Sequence, residues 1–139
     1  MKIIKILIII LLIPSCINQD ERRFSSFLVE YPNIQDYKYY LIVPFLGCKD
    51  CYSNAELFIV QHSKNLDKIG VFITGSGSDK MMKIRFGEVI NRKNIIFISQ
   101  PNTKRLSLDN IIYPTLLTFK GNKLSVSLAD FDSLKYKIE

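Results

Sequence analysis

Tyr37–Cys51 reads YKYYLIVPFLGCKDC, and the fold is decided there. Its first nine residues, Tyr37–Phe45, are aromatic or branched and almost uninterruptedly apolar. That is the profile of a strand buried on both faces, as in a parallel sheet with helices on either side. Pro44 has no N–H for a ladder, so the strand should end or bulge there. From Cys51 to Leu66 the residues Ala55, Phe58, Ile59, His62 and Leu66 recur at helical spacing, which predicts a helix with one apolar stripe. Cys48-Lys49-Asp50-Cys51 therefore stands at a strand-to-helix junction. Two thiols three residues apart at a helix start can close a small ring. The first lies near unpaired backbone N–H groups and the positive end of the helix dipole, both of which stabilise a thiolate. A thiolate attacks disulfides and a second thiol resolves the mixed intermediate. Cys48 is the expected nucleophile and Cys51 the resolving thiol. Lys49 favours the thiolate and Asp50 opposes it.

Working outward, Lys68–Thr74 (KIGVFIT) predicts a second buried strand, Gly75–Ser78 a turn, and Asp79–Ile90 a helix weakened by Gly87. Asn94–Ser99 predicts a third strand, and Gln100–Asn110 is polar. Leu116–Lys120 and Leu124–Leu128 alternate around Gly121-Asn122, a two-residue turn of the kind that joins antiparallel strands. Asp130–Ile138 predicts a short helix capped by Asp130. The fold class is α/β, a central mixed sheet flanked by helices.

The chain has 139 residues, enough for one compact domain. Met1–Ser15 (MKIIKILIIILLIPS) has two lysines, a short apolar run and a small residue before Cys16, the parts of an export signal. The run is too short to span about 30 Å of hydrocarbon as a permanent helix. Ile13-Pro14-Ser15-Cys16 resembles the bacterial lipobox, which implies that Cys16 becomes a lipidated first residue after cleavage. Cysteine arithmetic agrees: of three cysteines, lipidation of Cys16 leaves one complete pair. The chain then divides into a signal (1–15), a tether and N-terminal extension (16–35), in which the polar stretch from Asn18 to Ser26 reads as a short tether, and the domain (36–139). The expected location is the cell envelope, lipid-anchored and facing the periplasm or exterior. Without Lys2 and Lys5 there remain 17 basic and 13 acidic residues, a formal charge of about +4. The basic residues are scattered rather than gathered among stacking aromatics, so no nucleic-acid partner is expected.

A CxxC pair also serves zinc sites and structural disulfides. Zinc wants four ligands, and His62, the one histidine, would lie roughly 16 Å along the helix from Cys51, so no metal is expected. Gly75-Ser76-Gly77-Ser78-Asp79-Lys80 lacks the third glycine of a dinucleotide fingerprint and the spacing of a Walker loop, and it reads as a capped turn. No cofactor is expected.

Tyr113-Pro114-Thr115-Leu116, taken with YYLIVPFLGCKDC, resembles the thioredoxin superfamily over about Tyr37–Glu139. The segment between the cysteines and Pro114 has an extra strand and helix, similar to the TlpA/ResA-type branch of membrane-tethered extracytoplasmic reductases. The resemblance implies a thioredoxin-like sandwich and a cis Pro114 beside the cysteines. It also implies a substrate-binding role for Tyr113 and Pro114, exported protein thiols or disulfides as partners, and a membrane electron donor. Gly47 stands where the family usually carries Trp. The strand Tyr39–Val43 contains no acid to accept the proton of the resolving thiol, and Glu56 and Asp50 are the nearest candidates for that role. These departures suit a second reading: a non-catalytic thioredoxin-like lipoprotein that binds a partner, its cysteine pair a structural disulfide.

Overall fold

A computed structural model describes residues 19–34, 36–45, 48–75, 78–105, 111–121 and 123–139. Met1–Ser15, which reads as an export signal, and Cys16 lie outside the described residues. Helix α1 covers Gln19–Val29, β1 Tyr39–Pro44, α2 Lys49–Gln61 and β2 Gly70–Thr74. Then come α3 (Asp79–Phe86), β3 (Ile95–Ile98), α4 (Gln100–Arg105), β4 (Thr115–Lys120), β5 (Lys123–Leu128) and α5 (Phe131–Ile138). Short 3-10 segments lie at Pro32–Ile34, Ser63–Lys68 and Gly87–Asn91.

The five strands form one mixed sheet in the order β3-β2-β1-β4-β5. β1 runs parallel to β2, and β2 to β3, while β1–β4 and β4–β5 are antiparallel. Parallel neighbours need crossovers, and α2 and α3 supply them. β1 is central, which explains its apolar run: every residue from Tyr40 to Pro44 is buried.

Successive residues of a strand face opposite ways, and the sheet sorts them accordingly. Leu41, Val43, Val71, Ile73 and Leu116 face α2, α3 and α5, meeting Ala55, Phe58, Ile59, Met82, Phe86, Leu134 and Ile138. Tyr40, Ile42, Phe72 and Leu117 face the other way, meeting Phe24, Phe27 and Leu28 of α1 together with Ile34. Helix α1 thus occupies much of the stretch that reads as a tether. Phe24, Phe27 and Leu28 recur three and four apart, and burying that stripe orders the segment.

Two details fix the packing. A Cβ at Gly70 would stand 2.6 Å from the ring of Tyr40, so only glycine lets β2 lie this close. Buried Asn94 donates from Nδ2 to the carbonyls of Leu66 and Ile69, tying the turn before β3 to the chain that leads into β2.

Three expected elements shift. The helix predicted from Cys51 to Leu66 begins at Lys49, ends at Gln61 and continues as a 3-10 segment, so His62 is its C-cap residue and is half-buried. The helix expected over Asp79–Ile90 stops at Phe86, where Gly87 takes a φ of +59° that favours glycine, and the chain continues as the 3-10 segment Gly87–Asn91. Gln100–Arg105, read only as polar, forms a short helix with Thr103 buried. The hairpin and the Asp130-capped terminal helix form as expected, Asp130 Oδ1 accepting from the Ser133 N–H at 3.3 Å.

Candidate active site

Parallel strands β1 and β2 end at the same edge of the sheet where antiparallel β4 begins, since Ile42 pairs with Thr115 and Pro44 with Thr74. This gathers residues distant in sequence. Cys48 is the N-cap of α2. Its N–H donates to the carbonyl of Ile112 at 3.2 Å, which ties the start of α2 to the segment before Pro114. Ile112, two residues before Pro114, is thereby held against the backbone of Cys48. The expected cis bond is not found: no peptide among the described residues is cis, and the Tyr113–Pro114 bond is trans. Trans is the intrinsically preferred isomer of an X–Pro bond by about 0.5–1 kcal/mol. The Tyr113 carbonyl accepts from Thr115 Oγ1 at 2.9 Å, and the buried Pro114 accepts from the Ala129 N–H at 2.8 Å. Ile112 and Tyr113 have exposed side chains beside this junction.

Cys48 and Cys51 are both free thiols and half-buried. The Cys48 sulfur makes no hydrogen bond of ordinary cap geometry. Even so, its pKa falls below the usual thiol value, first because the Cys51 thiol donates to it, then because the N–H groups of Cys51 and Asp50 face it. Burial and the Asp50 carboxylate act in the opposite sense. Cys51 moves up, because its thiol donates to Cys48 and because burial disfavours its charge. The two thiols thus shift in opposite directions, Cys48 toward the thiolate and Cys51 toward the protonated form.

An aromatic frame lies next to the pair. Tyr52, following Cys51, meets Phe45 at 4.8 Å between ring centroids and Phe86 at 6.4 Å. Arg85 of α3 lies over the Tyr52 ring at 4.7 Å and over Phe45 at 5.6 Å. Its Nη2 also pairs with Glu56 Oε2 at 2.9 Å. Arg85 therefore clamps α3 to the first turns of α2. In the sequence it reads only as one of several scattered basic residues, and no local pattern marks it. Glu56 is thus held in an ion pair with Arg85, and Asp50 is exposed to water. The Tyr52 hydroxyl is buried with no hydrogen-bond partner among the described residues, and burial pushes its pKa up to about 12.

His62 stands at the far end of α2 with its ring 4.8 Å from that of Phe58, apart from the cysteines. Among the described residues no group of three or more His, Cys, Asp or Glu could hold a metal ion. Likewise, no helix among them is long and apolar enough to cross a membrane. Comparison with family models, with curated proteins and with solved structures returns no match for this chain.

Proposed function

We propose that this chain is an extracytoplasmic thiol–disulfide oxidoreductase of thioredoxin-like architecture, held at the cell envelope by a lipid on Cys16. One observation carries the reading: Cys48 caps the helix that leaves the central strand, in contact with Cys51 and bonded through its N–H to the Ile112 carbonyl. The strand order, with the cysteines after β1 and a hairpin and helix closing the chain, supports the thioredoxin-like assignment.

In the reductive direction the Cys48 thiolate attacks one sulfur of a substrate disulfide. A mixed disulfide forms and one substrate thiolate leaves. Cys51 gives up its proton, attacks the Cys48 sulfur and releases the second substrate thiolate. Two electrons pass to the substrate, and Cys48 and Cys51 end as a disulfide. A membrane dithiol donor would restore them. Exported proteins are the proposed substrates, and the exposed Ile112 and Tyr113 beside Cys48 suit apolar polypeptide better than a small charged thiol.

Turnover of insulin or of a glutathione mixed disulfide tests this. Wild type should reduce both, and Cys48→Ser should fall to the uncatalysed background. Equal rates would end the catalytic reading. A potential below about −300 mV, with no exchange against glutathione, would instead favour the structural disulfide of a partner-binding lipoprotein.

A further inference from the structure

β5 is an edge strand, and the register of the hairpin settles which of its backbone groups look outward. The connection from β4 is two residues, so Lys120 and Lys123 close it as a hydrogen-bonded pair, and Ser125 and Ser127 continue the same series toward β4. The next member confirms the series, since the Ala129 N–H donates to the Pro114 carbonyl at 2.8 Å. On β4, Phe119 belongs to the other series, and its N–H turns away to the Lys38 carbonyl at 3.0 Å. The N–H and C=O groups of Leu124, Val126 and Leu128 therefore point along the open edge, and no described residue takes them. The side chains of these three share the face that carries α1, where Leu124 is partly covered but Val126 is 42% and Leu128 69% exposed. Natural edges are commonly blunted by proline, a bulge or several charges. β5 has one lysine, at its first residue, and none of the other devices.

We propose that β5 pairs with β5 of a second copy, antiparallel about a two-fold axis through Val126, joining two sheets into one. Facing residues of an antiparallel pair lie on the same side, so apolar stripes stay together only when even-numbered positions meet even-numbered ones. Centring on Val126 does this: Val126 faces Val126, Leu124 faces Leu128, and the outward groups form about six N–H···O bonds. Charge favours the same arrangement. The turn end of β5 carries Lys120 and Lys123, whereas its other end leads into Asp130 and Asp132. Antiparallel reversal brings the lysines of one copy toward the aspartates of the other, so both ends of the joint are complementary. This self-matching pattern is why the occupant is a second copy rather than a foreign strand. The proposal does not depend on the redox reading.

The test uses the full chain in detergent. In a Cys16→Ser, Cys48→Ser, Cys51→Ser background, Val126→Cys should form a covalent dimer on mild oxidation, while Leu57→Cys, exposed on α2 across the sheet, should stay monomeric. Mass measurement should find wild type dimeric. Val126→Lys, which sets two like charges opposite each other, should raise the dissociation constant by about tenfold or more with an unchanged circular dichroism spectrum. A wild type that is monomeric at every soluble concentration, a dimer indifferent to Val126→Lys, or equal cross-linking at position 57 would overturn the proposal. So would a monomer in which Val126→Lys slows reduction of a protein disulfide but not of a small one, because the edge would then hold a client strand.

Discussion

The two faces of the sheet are built from different materials. The face toward α2, α3 and α5 is mostly aliphatic, and helices adjacent in sequence to the strands they cover close it. The face toward α1 is dominated by rings: Phe27 meets Phe72 at 4.5 Å, Tyr31 meets Phe72 at 5.5 Å, and Tyr40 meets Phe119 at 5.8 Å. Each aromatic side chain buries about 150–250 Å². The aromatic face thus concentrates its stability in a few large contacts with one N-terminal helix. The aliphatic face spreads its stability over many residues and also carries the cysteines, through α2. Stability on one side and chemistry on the other should therefore be separable.

Phe27→Ala should give the largest effect, about 3–5 kcal/mol lost in a urea titration, because a buried ring leaves a cavity that a sheet cannot close. Its alkylation profile at Cys48 should match wild type. A changed profile would mean that the two faces are not independent.

The next effect tests the thiols directly. Cys48 has its pKa lowered by the Cys51 thiol and the helix N–H groups, so its thiolate forms at lower pH than that of a free cysteine. Alkylation by iodoacetamide should rise with pH, level off earlier than in the unfolded chain, and at neutral pH run on the order of tenfold faster at Cys48 than at Cys51. Peptide mapping of the labelled sites measures this. Equal labelling would remove the functional asymmetry of the pair.

The smallest effect belongs to Tyr52, on the aliphatic face beside the site. Its buried hydroxyl has no partner among the described residues. Tyr52→Phe should leave stability unchanged or raise it by up to about 1 kcal/mol. The sign with pH follows from the raised pKa. Tyr52 ionises near pH 10 in the unfolded chain, whereas burial pushes its pKa up to about 12 in the folded protein, so wild type loses stability as pH rises above about 10. The phenylalanine variant should lose less, and thermal melts across alkaline pH would reveal it.

Much of this architecture is legible in local pattern. Tyr37–Phe45 announces a doubly buried strand, Gly121-Asn122 a hairpin turn, and Asp130 a helix cap, because burial on both faces, positive φ and side-chain capping each leave a mark within a few residues. Where helices stop is less legible. Gly87 marks its stop, but the change from α2 to a 3-10 segment at His62 has no comparable signal. Helix α1 is harder still. Gln19–Val29 is polar in composition, and only the spacing of Phe24, Phe27 and Leu28 hints that an aromatic face awaits it.

The amino-acid order alone determined where strands and turns begin and that two thiols would stand at a helix start. Those outcomes depend on dihedral preference, hydrophobic period and capping, all properties of neighbours in the chain. Only the tertiary structure decided that Cys48 bonds to the Ile112 carbonyl, that Arg85 clamps Tyr52 and Glu56, and that Pro114 meets this junction through a trans bond. Contacts spanning tens of residues arise when the sheet closes, and no short stretch of sequence encodes them.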